Sequence, residues 1–292
     1  MRVGITRRRV GVMGTRFRLI MSVLAGSLVA SAQSQFPTAN PQTQFSSGQD
    51  VVPAFEGWIR NADGTFTFVF GYFNRNWKEE LLIPAGPDNR LEPGPPDRMQ
   101  PTYFLPRRQP WVFRVQVPKD WGQQELVWTI TAHGRTEKAY AQLLPEEEIR
   151  ERLIMTRGNL NPGEDDPNQP PSIRIAPVSS ASVSSPVSLT ALVEDDGLPK
   201  RRAAAPAPRT GAIPQAQTNS AAERPRGGLS VAWFVYRGPA RVTFDSPGPI
   251  AVAGGQAVTT AHFTAPGTYV LRAVASDSAL QTSAEVTITV KP

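Results

Sequence analysis

Hydrophobic residues recur at every second position along most of this chain and rarely at helical spacing, which is the pattern of half-buried strands. It is cleanest over residues 257–290. Three alternating strands are predicted there, 257–263, 268–275 and 284–290, with a Pro266-Gly267 turn after the first and an Asp277-Ser278 loop after the second. In the middle strand Tyr269, Leu271, Ala273 and Ala275 share one face, and Val270, Arg272 and Val274 share the other. Shorter runs at 173–176, 187–193, 229–236 and 241–244 complete a β-sandwich over residues 172–292. Upstream, the candidates are 54–60, 65–73, 79–83, 102–105, 111–117, 125–132 and 135–143. Phe66, Phe68, Phe70 and Tyr72 line one face of the second, Trp111, Phe113, Val115 and Val117 one face of the fifth, and Leu126, Trp128 and Ile130 one face of the sixth. Residues 61–64 and His133-Gly134 have hairpin-turn composition. The prediction is an all-β chain of two β-sandwich domains joined by a short helix and a Pro-rich linker.

The segments between the strands are read from composition. Residues 33–52 are rich in Gln, Ser and Pro and are predicted to be a disordered lead. The loop 84–100 (PAGPDNRLEPGPPDRMQ) is long, and its prolines and glycines argue against regular pairing. It reads either as a binding loop on a rigid scaffold or as a stiff crossover. Residues 145–155 (PEEEIRERLIM) are the best helix, with proline at the start, glutamates in the first turn and Glu146/Arg150 and Glu148/Arg152 at i,i+4 spacing. That helix closes a first domain of residues 53–155. Residues 156–171 read as a linker, and residues 199–228, rich in Ala, Pro and Arg, as a disordered insert in the second domain.

Charge changes the picture less than the totals imply. The net charge is +6, but six arginines and no acid precede residue 33, and beyond that point bases and acids balance. A protein seeking nucleic-acid phosphates is not indicated. Those arginines precede the apolar run 19–30 and the small-residue site Ala30-Ser31-Ala32, the layout of a signal peptide over residues 1–32. The run is too short to span a bilayer, so no membrane span is expected in the mature chain. Thr6-Arg7-Arg8 is a weak twin-arginine match, and Met13 is an alternative start. The chain has no cysteine, which leaves no disulfide, thiol nucleophile or thiolate metal site. The expected location is periplasmic or secreted.

Two resemblances follow. In the second domain, Asn168-Gln169-Pro170-Pro171, Val193-Glu194-Asp195-Asp196-Gly197, Trp233, the run 263–269 (FTAPGTY) and Ala275-Ser276-Asp277 resemble the PKD family of immunoglobulin-like sandwiches. The resemblance implies that Trp233 is the buried tryptophan and that Tyr269 is a corner tyrosine bonded to nearby backbone. The insert 199–228 departs from the family pattern. In the first domain, Phe55-Glu56-Gly57-Trp58, residues 70–76 (FGYFNRN), residues 97–102 (DRMQPT) and Glu125-Leu126-Val127-Trp128 resemble a set of exported proteins of environmental bacteria, a resemblance that implies no activity.

Three kinds of candidate chemistry remain. At one pole of an immunoglobulin-like sandwich Asn168, Asp195, Asp196 and Asp277 are expected to converge; oxygen ligands suit calcium, as the resemblance also implies, and turn chemistry is the competing account. Tyr72, Phe73, Asn74, Arg75, Asn76 and Trp77 mix rings, amides and a cation at a strand end, which suits a sugar or an extended peptide; the competing account is core rings followed by a turn. A hydrolase would draw on Glu56, Asp63, Glu79, Glu80, Asp88 or Asp97, because the only histidines are His133, in a turn, and His262, expected to point outward. The sequence favours a non-catalytic binding, adhesion or spacer protein whose partner is a protein or polysaccharide of the cell envelope or exterior. A carbohydrate-binding accessory module is the alternative, and a carboxylate-pair hydrolase the second.

Overall fold

The computed structural model describes residues 44–160, 163, 165–178, 181–183, 185–200 and 228–292. The expected signal peptide, most of the lead 33–52 and nearly all of the insert 199–228 lie outside the described residues. Residues 44–292 form one compact unit.

Its first half contains β1 (Val51–Arg60), β2 (Phe66–Asn74), β3 (Leu81–Leu82), β4 (Asn89–Glu92), β5 (Tyr103–Phe104), β6 (Arg107–Val117), β7 (Leu126–Ala132) and β8 (Arg135–Ala141). They pair as β1-β2-β6, β4-β7-β8 and β3-β5. Alternation placed the rings as expected, except at Trp111, where a register break in β6 takes the ring off the face of Phe113, Val115 and Val117. Phe68, Phe70, Tyr72, Phe104, Phe113 and Trp128 are all buried in one core. Phe70 stacks on Phe113 at 5.1 Å, and Phe113 meets the face of Trp128 edge-on at 4.7 Å.

Three expectations are corrected in this half. Residues 44–52 are held against the sandwich: the Trp77 amide donates to Phe45 O (2.9 Å), and β1 begins at Val51. The loop 84–100 does pair, because β4 joins β7 in register with Leu91 opposite Trp128. Its four residues sit between the Gly86 turn and Pro93 at a sheet edge, where proline costs no ladder bond. The single helix over 145–155 is a 3-10 turn at Pro145–Glu147 followed by α1 (Glu151–Met155). The turn is set by β1, where the Ile149 amide donates to Trp58 O (2.8 Å) and the Trp58 indole donates to Leu144 O (2.8 Å). It packs on Gly57, φ +119, where a Cβ would come within 2.6 Å of Glu147 O.

The second half contains β9 (Ser172–Ile175), β10 (Ala181–Ser182), β11 (Val187–Glu194), β12 (Ser230–Arg237), β13 (Val242–Phe244), β14 (Ile250–Ala251), β15 (Gln256–Phe263), β16 (Gly267–Ser276) and β17 (Gln281–Lys291). One sheet runs β13-β15-β11-β9 and the other β10-β17-β16-β12-β14, the arrangement of immunoglobulin-type sandwiches. Trp233 is buried, and the Tyr269 hydroxyl donates to Ala265 O at 2.8 Å, as the corner-tyrosine expectation required.

The two sandwiches are not independent units on a tether. Tyr103 of β5 is buried in the core of the second, and Tyr236 of β12 and Val270 of β16 are buried in the core of the first. Around those apolar anchors the Thr102 amide donates to Tyr236 O (3.1 Å) and the Tyr236 hydroxyl to Met99 O (2.5 Å). Arg237 grips Asp97 with two bonds (2.7 and 2.8 Å). The Pro/Gly-rich loop therefore serves as the latch between the sandwiches.

Candidate functional site

A cleft of about 940 Å³ opens between the two sandwiches, within the size range of ligand sites. Its floor is the outer face of the β12-β16-β17 ladder. Register places side chains there in three rungs: Ser230, Ser276 and Gln281; Ala232, Val274 and Ser283; Phe234, Arg272 and Glu285. All nine line the cleft. The alternating partners Val231, Trp233, Leu271 and Ala273 are turned into the core, so period two alone divides floor from core.

The opposite wall is β6 and α1. Between Phe70 and Tyr72 of β2 the pairing with β6 slips, and Pro110, Trp111 and Val112 bulge. Trp111 has φ +53, a left-handed conformation that a bulky residue adopts at a cost. The bulge carries the indole into the cleft, where it lies against Gly158. A Cβ at Gly158 would stand 3.1 Å from the ring, and its φ of +75 also favours glycine. Arg272 closes one end. Its guanidinium lies 4.0 Å from the Tyr236 ring centre, donates to Val112 O (2.6 Å) and pairs with Glu285 (2.5 Å). Arg114 makes a two-bond pair with Glu151 beside it (2.6 and 2.8 Å). Sequence reasoning missed this site. Each wall is an ordinary strand face by pattern, and only the crossing of Tyr103 and Tyr236 brings the walls together.

The strand-end segment that the sequence singled out is split by the fold. Tyr72 is in the core, its oxygen accepting the Leu105 amide (2.8 Å), and burial pushes its phenol well above the usual range. Asn74 and Asn76 are fully buried. Asn74 donates to Glu79 O and Phe104 O, and Asn76 to Gln49 O, so these amides hold irregular backbone. Arg75 faces buried Asp50 at 3.4 Å. Phe73 and Trp77 stay nearer the surface, with Arg107 at 4.9 and 4.1 Å from their ring centres. A flat platform of Tyr72, Phe73 and Trp77 is not formed.

The four oxygen-bearing residues at the second sandwich's pole do converge. Asn168 donates to Asp277 (3.1 Å), and Asp196 accepts the Gln169 amide (2.9 Å). Asp277 also accepts the Ala279 and Leu280 amides, Asp195 the Gly197 amide and Asp196 the Leu198 amide. Burial first, then the charges of Asp277 and Asp196, raise the Asp195 carboxyl, while the Gln169 and Leu198 amides lower Asp196. Asn168 Oδ1 and Asp195 Oδ1 are the buried oxygens here without a partner. Calcium takes six to eight oxygens, and this set, with most of its oxygens engaged by amides, does not fit it as arranged. Among the described residues no three His, Cys, Asp or Glu side chains are grouped to hold a metal ion. Arg152 of α1 donates to Asn168 O (3.2 Å), so the C-terminal part of the expected linker is held to α1 as well as to Asp277.

Five of the six hydrolase candidates make other bonds. Glu56 pairs with Arg108 (2.6 Å), Glu79 with His133 (3.2 Å) and Asp97 with Arg237 (2.7 Å). Asp63 accepts from Thr65, and Glu80 accepts the Tyr103 hydroxyl (2.5 Å). Asp88 is exposed. His262 bonds Asp245 (2.8 Å) at the surface.

No family model matches the chain, and no curated protein does. Similar solved structures include the D00-D0 domain of intimin, at 11% identity over 82% of this chain and 100% of that one, with a TM-score of 0.26. The adhesin InvE of Yersinia pseudotuberculosis is similar at 10% identity over 83% of this chain and 59% of that one, with a TM-score of 0.24. A conjugative transposon lipoprotein of Bacteroides eggerthii is similar at 9% identity over 41% and 96%, with a TM-score of 0.25. The immunoglobulin-like character of the second sandwich rests on its own strand order and corner tyrosine.

Proposed function

We propose that this chain is an exported, non-catalytic binding protein that captures a polymer of the cell envelope or exterior. The observation that carries the reading is the preformed cleft between two sandwiches locked by exchanged core rings. A spacer needs no such concavity, whereas a binding site needs rigid walls. Two features weigh against a hydrolase built on the acids that the sequence offered: Glu56, Glu79, Glu80 and Asp97 engage arginines, a hydroxyl and a histidine, and none of the four lines the cleft. Export rests on the N-terminal charge and hydropathy pattern; among the described residues no helix is long and apolar enough to cross a membrane.

The test is co-sedimentation of the purified protein with cell walls, outer-membrane vesicles and insoluble polysaccharide, alongside assay of the supernatants for released fragments. Saturable binding without release is the expected result. No binding to any of the three, or steady release of fragments, overturns the reading.

A further inference from the structure

The geometry points to a neutral oligosaccharide as the occupant of the cleft, with Trp111 as its stacking platform. This deepens the reading above and rests on it. The strongest observation is the backbone at Trp111. A bulky residue at φ +53 inside a strand is a costly conformation that regular pairing with β2 would have avoided. The bulge holds an indole over a cleft, and Gly158 gives the ring its place.

The floor beneath suits a flat, uncharged, hydroxyl-rich ligand. Its middle rung, Ala232 and Val274 with Ser283, is low and mostly apolar. The rung on one side offers the hydroxyls of Ser230 and Ser276 and the amide of Gln281. On the other side the charges are already neutralised, Arg272 by Glu285 and, on the facing wall, Arg114 by Glu151. A sugar ring needs this combination, an aromatic face for its C–H surface and hydroxyls or amides at its edge. A strongly anionic ligand would have to break one of those pairs or rely on Arg157, which lines the cleft outside them.

An extended peptide fits less well. Strand addition requires an open run of N–H and C=O groups along β6. Pro110 removes a donor, the bulge breaks the spacing, and Val112 O is occupied by Arg272.

The test is calorimetry of the purified protein against cellohexaose, xylohexaose and chitohexaose, with an uncharged Gly/Ser peptide as comparison. At least one oligosaccharide is expected to bind and the peptide not to. Trp111→Gly keeps the φ that the bulge needs and removes the ring, so binding is expected to fall about tenfold or more with the melting temperature held or raised. Ala232→Phe fills the floor from the side away from the core and is expected to have the same effect. Trp77→Ala, on a separate aromatic surface, is expected to leave binding unchanged. The inference is overturned if no oligosaccharide binds, if the peptide binds instead, or if Trp77→Ala abolishes binding while Trp111→Gly and Ala232→Phe retain it. If the protein still sediments with walls or vesicles after any of those results, binding function stands and only the cleft assignment falls.

Discussion

The two sandwiches reach the same end by different means. The second is built from long ladders, ten consecutive pairs between β16 and β17, and its core is crowded with small and aliphatic residues such as Ala191, Ala261, Ala273, Ala275 and Leu271. In the first, the two longest pairings, β1 with β2 and β2 with β6, are each interrupted by a register shift. A connected set of rings fills its core. Fully buried amides, Asn74, Asn76, Asn89 and Gln100, bond the carbonyls that no ladder reaches. Regular backbone satisfies itself, and irregular backbone needs side chains to do so. Held in this way, the loop 84–100 latches on β12 through Asp97, Met99 and Gln100.

The most damaging test of that contrast is truncation of each core at its centre. Trp128→Ala and Leu271→Ala are each expected to cost about 3–5 kcal/mol. Because Tyr103 and Tyr236 cross between the cores, either change is expected to lower one shared melting transition, read by near-ultraviolet circular dichroism and calorimetry. Two separated transitions would show the sandwiches to be independent.

A finer test uses buried polar groups. Asn89 bonds Ile83 O (3.0 Å), Pro101 O (2.8 Å) and the Trp128 indole (3.0 Å). Asn89→Ala strands all three, so a loss of about 3 kcal/mol in urea unfolding is expected. In the second sandwich, Thr259 is buried with its hydroxyl unpartnered. Thr259→Val is expected to be neutral or to stabilise by about 1 kcal/mol. Equal losses at both sites would erase the difference between the halves.

Strand length decided, in both halves, what could be read in advance. The ladder strands of the second sandwich and the ring faces of β2, β6 and β7 follow from alternation, and Tyr269 and Trp233 took their expected places. Short strands carry too few residues to show a period, so β4 was hidden among prolines and glycines. The amides of Asn74 and Asn76 looked like ligand contacts because an Asn at a strand end has the same composition whether it faces solvent or backbone. Only the carbonyls of residues 49, 79 and 104 decide between the two; residue 104 is distant in sequence and residue 49 belongs to the segment read as a disordered lead. The cleft needed more still, because it belongs to neither sandwich alone.

Acid titration probes the latch and the pole with opposite signs. Asp97 is held below the usual carboxylate range chiefly by its bond from Arg237. Its contribution is thus present above the unfolded value of roughly 4 and lost as pH falls through the lowered one. Asp195 is raised by burial and by Asp277 and Asp196, so its stabilising contribution is present below the unfolded value and lost as pH rises through the raised one. Asp97→Asn is expected to flatten the loss of stability on the acid side. Asp195→Asn is expected to raise the melting temperature at neutral pH, on the order of a degree or two. Melting curves between pH 3 and 7 separate the two, and a fall at neutral pH for Asp195→Asn would mean that its charge is used.

Calcium is the smallest expected effect and bears on the same pole. Here Asp277 and Asp196 each accept two or more bonds from backbone amides or Asn168. A calcium ion would have to displace those donors to collect its oxygens, and the guanidinium of Arg152 already approaches the Asn168 carbonyl. Millimolar calcium against chelator is therefore expected to shift the melting temperature by less than about 1 °C, the size of a non-specific charge effect. A rise of several degrees that Asp195→Asn abolishes would mean that the free oxygens of Asn168 and Asp195 nucleate a regrouped site, and that this pole, like the first sandwich, holds its backbone with more than its own ladder.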